Sequence, residues 1–282
     1  MIKIITDSAS DILQNESAKL GVTVLPIKIN FKDEEYLDGI TINNKEFYKK
    51  LIESEEFPKT CQISPYEYEQ EFEKYKDQEV VVITLSKKLS GCYQSAVLAS
   101  KSYPNVRVID SRSVTIGQQI LVKYALGLSE KGKSADEIVE KVESAKKDLC
   151  VVALLNTLEY LKKGGRISAT SAFVGTLLSI KPVVALKHGK VEMIGKARGS
   201  KNGNNMLRKI VNENGGINET LPYKVAYAGL SDSMMKKYLK DSQDLYAADI
   251  SDVPVGMIGA TIGTHIGPGA VAVAFFKNKK QK

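Results

Sequence analysis

Two histidines in 282 residues, His188 and His265, leave little scope for imidazole chemistry. No pair of His or Cys sits at metal-ligand spacing, so no metal site is expected. His188 falls in His188-Gly189-Lys190 between two apolar runs and reads as a solvated turn residue. His265 lies in Gly263-Thr264-His265-Ile266-Gly267-Pro268-Gly269, where glycines let backbone approach a ligand closely. It reads as a ligand contact or as a core histidine beside a tight turn. Hydroxyls recur in turns that follow apolar runs or lead helices: Asp7-Ser8, Thr60 with Ser64, and Leu89-Ser90-Gly91. Such hydroxyls are uncharged donors, and helix N-termini add partial positive potential for an anion. Ser64 reads as an N-cap, and Ser90 serves equally as a cap or a ligand contact. Two basic turns, Lys162-Lys163-Gly164-Gly165-Arg166 and Lys196-Ala197-Arg198-Gly199-Ser200-Lys201, could clamp a phosphate or dock an acidic surface. A glycine stop with lysines in the last turn explains the first of these except for Arg166.

The elements that must position these residues alternate strand and helix in the first half. Residues 2–6 read as a strand, 11–20 as a helix stopped by Gly21, and 22–31 as a second strand. A helix is expected over 44–52. Another starts at Pro65 behind the capping box Ser64-Pro65-Tyr66-Glu67. Residues 79–85 are β-branched and apolar, as in a strand buried on both faces. A helix over 91–103, a strand over 106–109, and helices over 113–131 and 135–148 follow. This order argues for a parallel sheet between helices. The second half is mixed: strands at 151–155, 182–186, 191–196, 224–228, 244–248 and 271–276, and helices at 158–163, 205–212 and 232–239. Residues 182–196 form a hairpin. With no Gly/Ser/Pro linker, the division is placed at the composition shift: an N-terminal parallel α/β domain over 1–150 and a C-terminal mixed-sheet α/β domain over 151–282.

Charge follows that division. The formal net charge of +7 splits into −3 for residues 1–150 and +10 for residues 151–282. The asymmetry points to an anionic ligand or an acidic partner for the second half. Nucleic acid is not indicated, because no zinc-ligand or RNP-type aromatic motif accompanies the charge. Cys61, Cys92 and Cys150 are an odd number without CxxC spacing, which fits a reducing compartment and hence a cytoplasmic location. The acidic N-terminus lacks the apolar region of an export signal. Residues 253–276 carry no Asp, Glu, Lys or Arg, but two prolines and His265 suit a buried loop between short elements better than a membrane span. GxxxxGK[ST], GxGxxG and GxSxG are all absent, so neither a nucleotide cradle nor a hydrolase elbow is expected.

Taken in order, the motifs resemble the DegV family of bacterial fatty-acid-binding proteins, the acyl-carrying subunits of fatty-acid kinase. The resemblance spans essentially the whole chain. It rests on Thr6-Asp7-Ser8, Thr60-Cys61-Gln62-Ile63-Ser64, Leu89-Ser90-Gly91-Cys92-Tyr93-Gln94-Ser95-Ala96, and Val108-Ile109-Asp110-Ser111. It continues through Leu161-Lys162-Lys163-Gly164-Gly165-Arg166-Ile167, Ile180-Lys181-Pro182, and Gly263-Thr264-His265-Ile266-Gly267-Pro268-Gly269-Ala270. Two places depart from the family pattern: Cys61 and Ile63 replace the usual Ser and Pro, and Cys92 replaces Thr.

The resemblance implies a two-domain α/β fold that holds one long-chain fatty acid between its parts. Hydroxyls matching Thr60 and Ser90 would hold the carboxylate near the histidine matching His265, with Gly91, Thr264 and Ser8 alongside. It implies no cofactor and no catalysis by this chain. A separate ATP-using kinase would phosphorylate the carboxylate to an acyl phosphate. A downstream acyltransferase would then pass the acyl group to phospholipid synthesis. The arginines matching Arg166 and Arg198 look like those facing the kinase, reaching outward to it or to the phosphoryl group. The alternative is a small-carbonyl enzyme, like the dihydroxyacetone kinases of related fold, with His265 handling the substrate.

Overall fold

The computed structural model describes residues 2–167 and 180–278. β1 (Lys3–Asp7) lies between β2 (Val22–Leu25) and β6 (Val80–Thr84), and β7 (Val106–Asp110) completes a parallel sheet of order β2-β1-β6-β7. Every residue of β6 is buried, as its β-branched run requires. The chain leaves β1 toward β2 on one side, while β6 lies on the other. That reversal opens a crevice at the carboxyl ends of β1 and β6, where open α/β sheets bind ligands. The two ends are tied by the Leu85 amide, which donates to Asp7 Oδ2 at 2.8 Å.

Two expectations fail locally here. The first helix, α1 (Gln14–Leu20), starts three residues late, because Ser8–Ser10 form a 3-10 turn and Asp11 turns left-handed at φ 55°. Residues 22–31 are two strands, since Pro26 has no N–H for a ladder. The second of them, β3 (Lys28–Phe31), leaves the parallel sheet. It pairs antiparallel with β4 (Glu34–Leu37) and β5 (Lys59–Cys61) in a separate three-stranded sheet. Thr60 therefore sits on a strand, not in a turn. Both α2 (Asn44–Glu53) and α3 (Pro65–Glu73) begin with complete capping boxes, at Asn43/Glu46 and Ser64/Glu67.

α4 (Cys92–Ser100) and α6 (Ala135–Ala145) pack along β6 and β7. Between them in sequence, α5 (Thr115–Glu130) packs on β1 and β6 and also on the second sheet. Its residues 116–122 are all buried. Gly117 permits the close approach: a Cβ there would lie 2.3 Å from Val151 Cγ2.

The second sheet is mixed. Its order is β10-β9-β8-β13-β11-β12, with only β11 and β12 parallel. The strands are β8 (Leu149–Leu154), β9 (Ile180–Lys187), β10 (Lys190–Arg198), β11 (Lys224–Ala228), β12 (Val255–Met257) and β13 (Ala270–Phe276). The expected hairpin is present as β9–β10, with His188 exposed at φ 51° and Gly189 at φ 81° in the turn. Ser86, beyond β6, donates to Gly189 O at 2.7 Å and so seats the hairpin tip on the parallel sheet's rim. α8 (Gly199–Glu213) packs on β8, β9 and β10, and α9 (Ser233–Asp241) on β11 and β13. A strand over 244–248 does not form. Residues Gln243–Leu245 make a 3-10 turn, and Tyr246 turns its ring inward to stack on Tyr223 at 6.1 Å.

The uncharged run over 253–276 folds as β12, α10 (Ala260–Ile266) and β13. The expected buried loop is thus a short helix. Among the described residues, no helix is long and apolar enough to cross a membrane.

Candidate functional site

At the crevice, β5, the loop after β6, α10 and α7 (Glu159–Lys163) converge. They enclose a cavity of about 160 Å³. Its polar lining includes Thr60, Gln62, Ser90, Arg166, Thr261 and His265, and its apolar lining Ile27, Leu85, Val114, Leu161, Val191 and Ile262.

His265 and Thr60 meet at the centre, with Thr60 Oγ1 3.0 Å from His265 Nε2. The other ring nitrogen, Nδ1, has no partner among the described residues and faces Gly164, where a Cβ would stand 2.3 Å away. An unpaired buried N–H is rarer than an unpaired acceptor, which assigns the proton to Nε2. Nε2–H then donates to Thr60 Oγ1, and the Thr60 hydroxyl proton is left for a ligand. Gly164 also gains a reason beyond helix termination. Its φ is ordinary at −75°, and Gly165 at φ 67° makes the left-handed stop. Glycine at 164 makes room for the imidazole.

Burial, and secondarily the Arg166 guanidinium, push His265 down to about 4. The imidazole is therefore neutral at ordinary pH. Its ring protons should show no titration shift by NMR between pH 8 and about 5.5, and a midpoint near the free-histidine value of ~6.5 would contradict the burial argument. Because the unfolded chain binds this proton first, His265 costs stability as pH falls from ~6.5 toward its folded value.

Ser90 precedes α4. Its hydroxyl donates to Cys92 Sγ at 3.3 Å and accepts from the Cys92 amide at 3.4 Å. Sulfur is a weak acceptor, so a carboxylate would capture that proton readily. The buried Cys92 thiol, pushed up to about 12, is not a nucleophile. Gly91 is needed because Gln62 lies over it: a Cβ there would stand 1.8 Å from Gln62 Oε1. Gln62 is held by a hydrogen bond from its Nε2 to Ser95 Oγ at 3.1 Å.

Arg166 differs from expectation. Its side chain is half-buried in the cavity wall and does not extend outward. Nε donates to Leu89 O at 3.2 Å and Nη1 to Gly164 O at 2.5 Å, tying the Ser90 loop to the end of α7. Arg198 is exposed at the end of β10 and does not line the cavity. Thr264 and Ser8 do not line it either. The Thr264 hydroxyl donates back to Ala260 O at 2.9 Å, the usual helical i−4 bond. Ser8 Oγ accepts the Ile27 amide at 3.0 Å.

Sequence reasoning missed Thr261 and the acids behind it. Thr261 is one helical turn before His265, on the same face of α10. Asp38 takes its amide at 3.1 Å and its hydroxyl at 2.5 Å, while Asp11 takes the Gly259 amide at 2.9 Å. Both carboxylates thus hold the start of α10. Burial raises Asp38, and pushes Asp7 and Asp11 up to about 7. Only the i,i+4 relation to His265 could have signalled Thr261. Asp38 had no signal, lying 223 residues away in sequence.

A larger open cleft of about 1090 Å³ lies along the same β9–β10 hairpin, edged by Arg112, Lys146, Lys187 and His188. It gathers none of the hydroxyl turns. Among the described residues no group of three or more His, Cys, Asp or Glu could hold a metal ion.

A parallel α/β sheet joined to a mixed sheet, with a hydroxyl-and-histidine cavity at the strand ends, defines a two-sheet α/β class of protein. The chain belongs to the DegV family, whose profile, described as that of an uncharacterised protein family, matches residues 1–278. DegV domain-containing proteins of Clostridium perfringens and Caldanaerobacter subterraneus are 33% and 34% identical, covering 99% of this chain and 98% and 99% of theirs. A DegV family protein from Thermus thermophilus, described for its fatty-acid binding, superposes with a TM-score of 0.85 at 32% identity, covering 98% of this chain and 99% of that one. A DegV lipid-binding protein from Thermotoga maritima gives 0.85 at 28% identity over 97% of both chains.

Proposed function

We propose that this protein binds one long-chain fatty acid and presents its carboxylate, from the cytoplasm, to a separate ATP-using kinase. The carrying observation is the placement of Thr60, Ser90 and neutral His265 around one small cavity with apolar walls. Two neutral hydroxyls orient a carboxylate without neutralising it, leaving an oxygen free to attack a phosphoryl group in line. The cavity, at about 160 Å³, takes the head group and the first carbons. A full chain must part the apolar side chains beyond. Burying about fifteen methylenes at roughly 0.8 kcal/mol each gives on the order of 12 kcal/mol gross. Ordering costs reduce that, yet the tail can carry affinity while the head group stays reactive. The resulting acyl phosphate would be consumed by an acyltransferase in phospholipid synthesis.

Organic extraction of the purified protein followed by mass spectrometry tests the ligand. A co-purified fatty acid supports the reading. A protein that carries a phosphorylated or free sugar instead supports the small-carbonyl enzyme.

Arg166 tests the kinase step. Its guanidinium is already engaged by two backbone carbonyls, which suits a fixed positive charge beside the transferring phosphoryl group better than a clamp on the carboxylate. Arg166→Ala is expected to keep oleate affinity within about three-fold. It should lose most kinase-dependent acyl-phosphate formation, since one charge-assisted contact of this kind is worth ~2–5 kcal/mol. Calorimetry and a phosphorylation assay with added kinase and ATP read the two effects. Equal losses in both would make Arg166 a ligand-binding residue.

A further inference from the structure

Among the described residues, no cation stands against the Asp38 carboxyl. Asp38 is 3% exposed, in the connection from β4 to α2, and its partners are the Thr261 amide and hydroxyl, the Ala260 amide and the Ser8 hydroxyl. The charged and titratable groups around it are acids and phenols: Asp7 at the end of β1, Asp11 after it, and Tyr48 on α2. Lys224 on β11 acts on Asp11. Burial without a counter-charge favours the neutral acid. The Thr261–Asp38 oxygen separation of 2.5 Å is that of a hydroxyl held by a carboxylate. Thr261, a lining residue of the cavity, thus spends its only O–H on Asp38, and its oxygen, also 3.4 Å from Ser8 Oγ, keeps only lone pairs for any further partner.

We propose that Asp38 and Thr261 form a proton-linked switch on the inner wall of the cavity. When Asp38 takes up a proton its O–H donates to Thr261 Oγ1, and the Thr261 hydroxyl turns to donate to the carboxylate of a bound acid. This rests on the reading of the cavity as a carboxylate site and adds a third donor to Thr60 and Ser90. One proton moves from solvent to Asp38 for each acid bound, and the acid itself remains an anion. No bond other than O–H is made or broken. Burial displaces Asp38 upward, the direction that favours this uptake. His265, already neutral, takes no part above pH ~6. The switch also selects ligands: an alcohol or amide head group gains little from a third donor, whereas a carboxylate does.

The test is titration calorimetry of the full chain with oleate at pH 7.5 in phosphate and in Tris, whose ionisation heats differ, so that the difference counts protons taken up. Wild type should take up a substantial fraction of one proton, and its affinity should weaken as pH rises to 8.5. Asp38→Asn keeps a permanent N–H donor toward Thr261. It should bind at least as tightly at pH 8.5, with the uptake reduced by that fraction. Thr261→Val should bind about ten-fold more weakly at pH 7, and Thr261→Ser should restore both affinity and uptake. Equal proton uptake in wild type and Asp38→Asn overturns the switch, because Asp7 or Asp11 would then be the acceptor. Should Asp38→Asn not fold, an unchanged affinity in Thr261→Val overturns it alone. Failure of wild type to bind oleate would instead remove the carboxylate site on which it rests.

Discussion

Thr60→Ala combined with Ser90→Ala is expected to abolish useful fatty-acid affinity while leaving the fold unchanged. Both residues are half-buried at the cavity. The Thr60 hydroxyl proton is freed by His265 Nε2–H, and the Ser90 proton is held only by sulfur. A hydrogen bond to a charged group contributes about 1.5–3 kcal/mol. Losing both should cost roughly 4 kcal/mol, on the order of a thousand-fold in dissociation constant. Thr60→Ser, which keeps the donor, should bind almost normally. Calorimetry with oleate measures the loss, and thermal unfolding checks the fold. A double variant that binds within about three-fold of wild type would show that the carboxylate sits elsewhere.

Gly263→Val should be strongly damaging although it lies outside the cavity. Gly263 is the face of α10 that rests on α2. A Cβ there would lie 2.6 Å from Phe47 Cε1 and 2.7 Å from Tyr48 Oη. Both rings are fully buried, so neither can move aside. Overpacking of this kind costs about 1–3 kcal/mol, or a Tm decrease of roughly 2–10 °C for a chain of this size. The same shift would carry Thr261 and His265 off their partners, so fatty-acid affinity should fall with stability. An unchanged Tm would mean that α10 slides across α2 without cost.

These expectations differ in where they come from. The parallel sheet was legible because β6 is a continuous β-branched run and α3 opens with a capping box, both of them local patterns. The β9–β10 hairpin was legible from its turn. Thr60, Ser90, Gly91 and His265, marked by motif and chain order, do line one cavity. Pro26 is itself a local break signal, and the three-stranded sheet that begins beyond it puts Thr60 on a strand beside α10.

Other features had no local cause. Arg166 is turned inward by the Leu89 carbonyl, 77 residues away in sequence. Ser8 and Thr264 are drawn from the cavity by backbone groups that need partners more than a ligand does. Thr261 enters the site only because Asp38 and Asp11 anchor the start of α10 across more than two hundred residues. Composition and periodicity determine which segments are strands and helices, because backbone hydrogen bonding and burial patterns are local. Which side chains face one another, and which carboxyls lose their water, follows from long-range packing, and that only the tertiary structure decided.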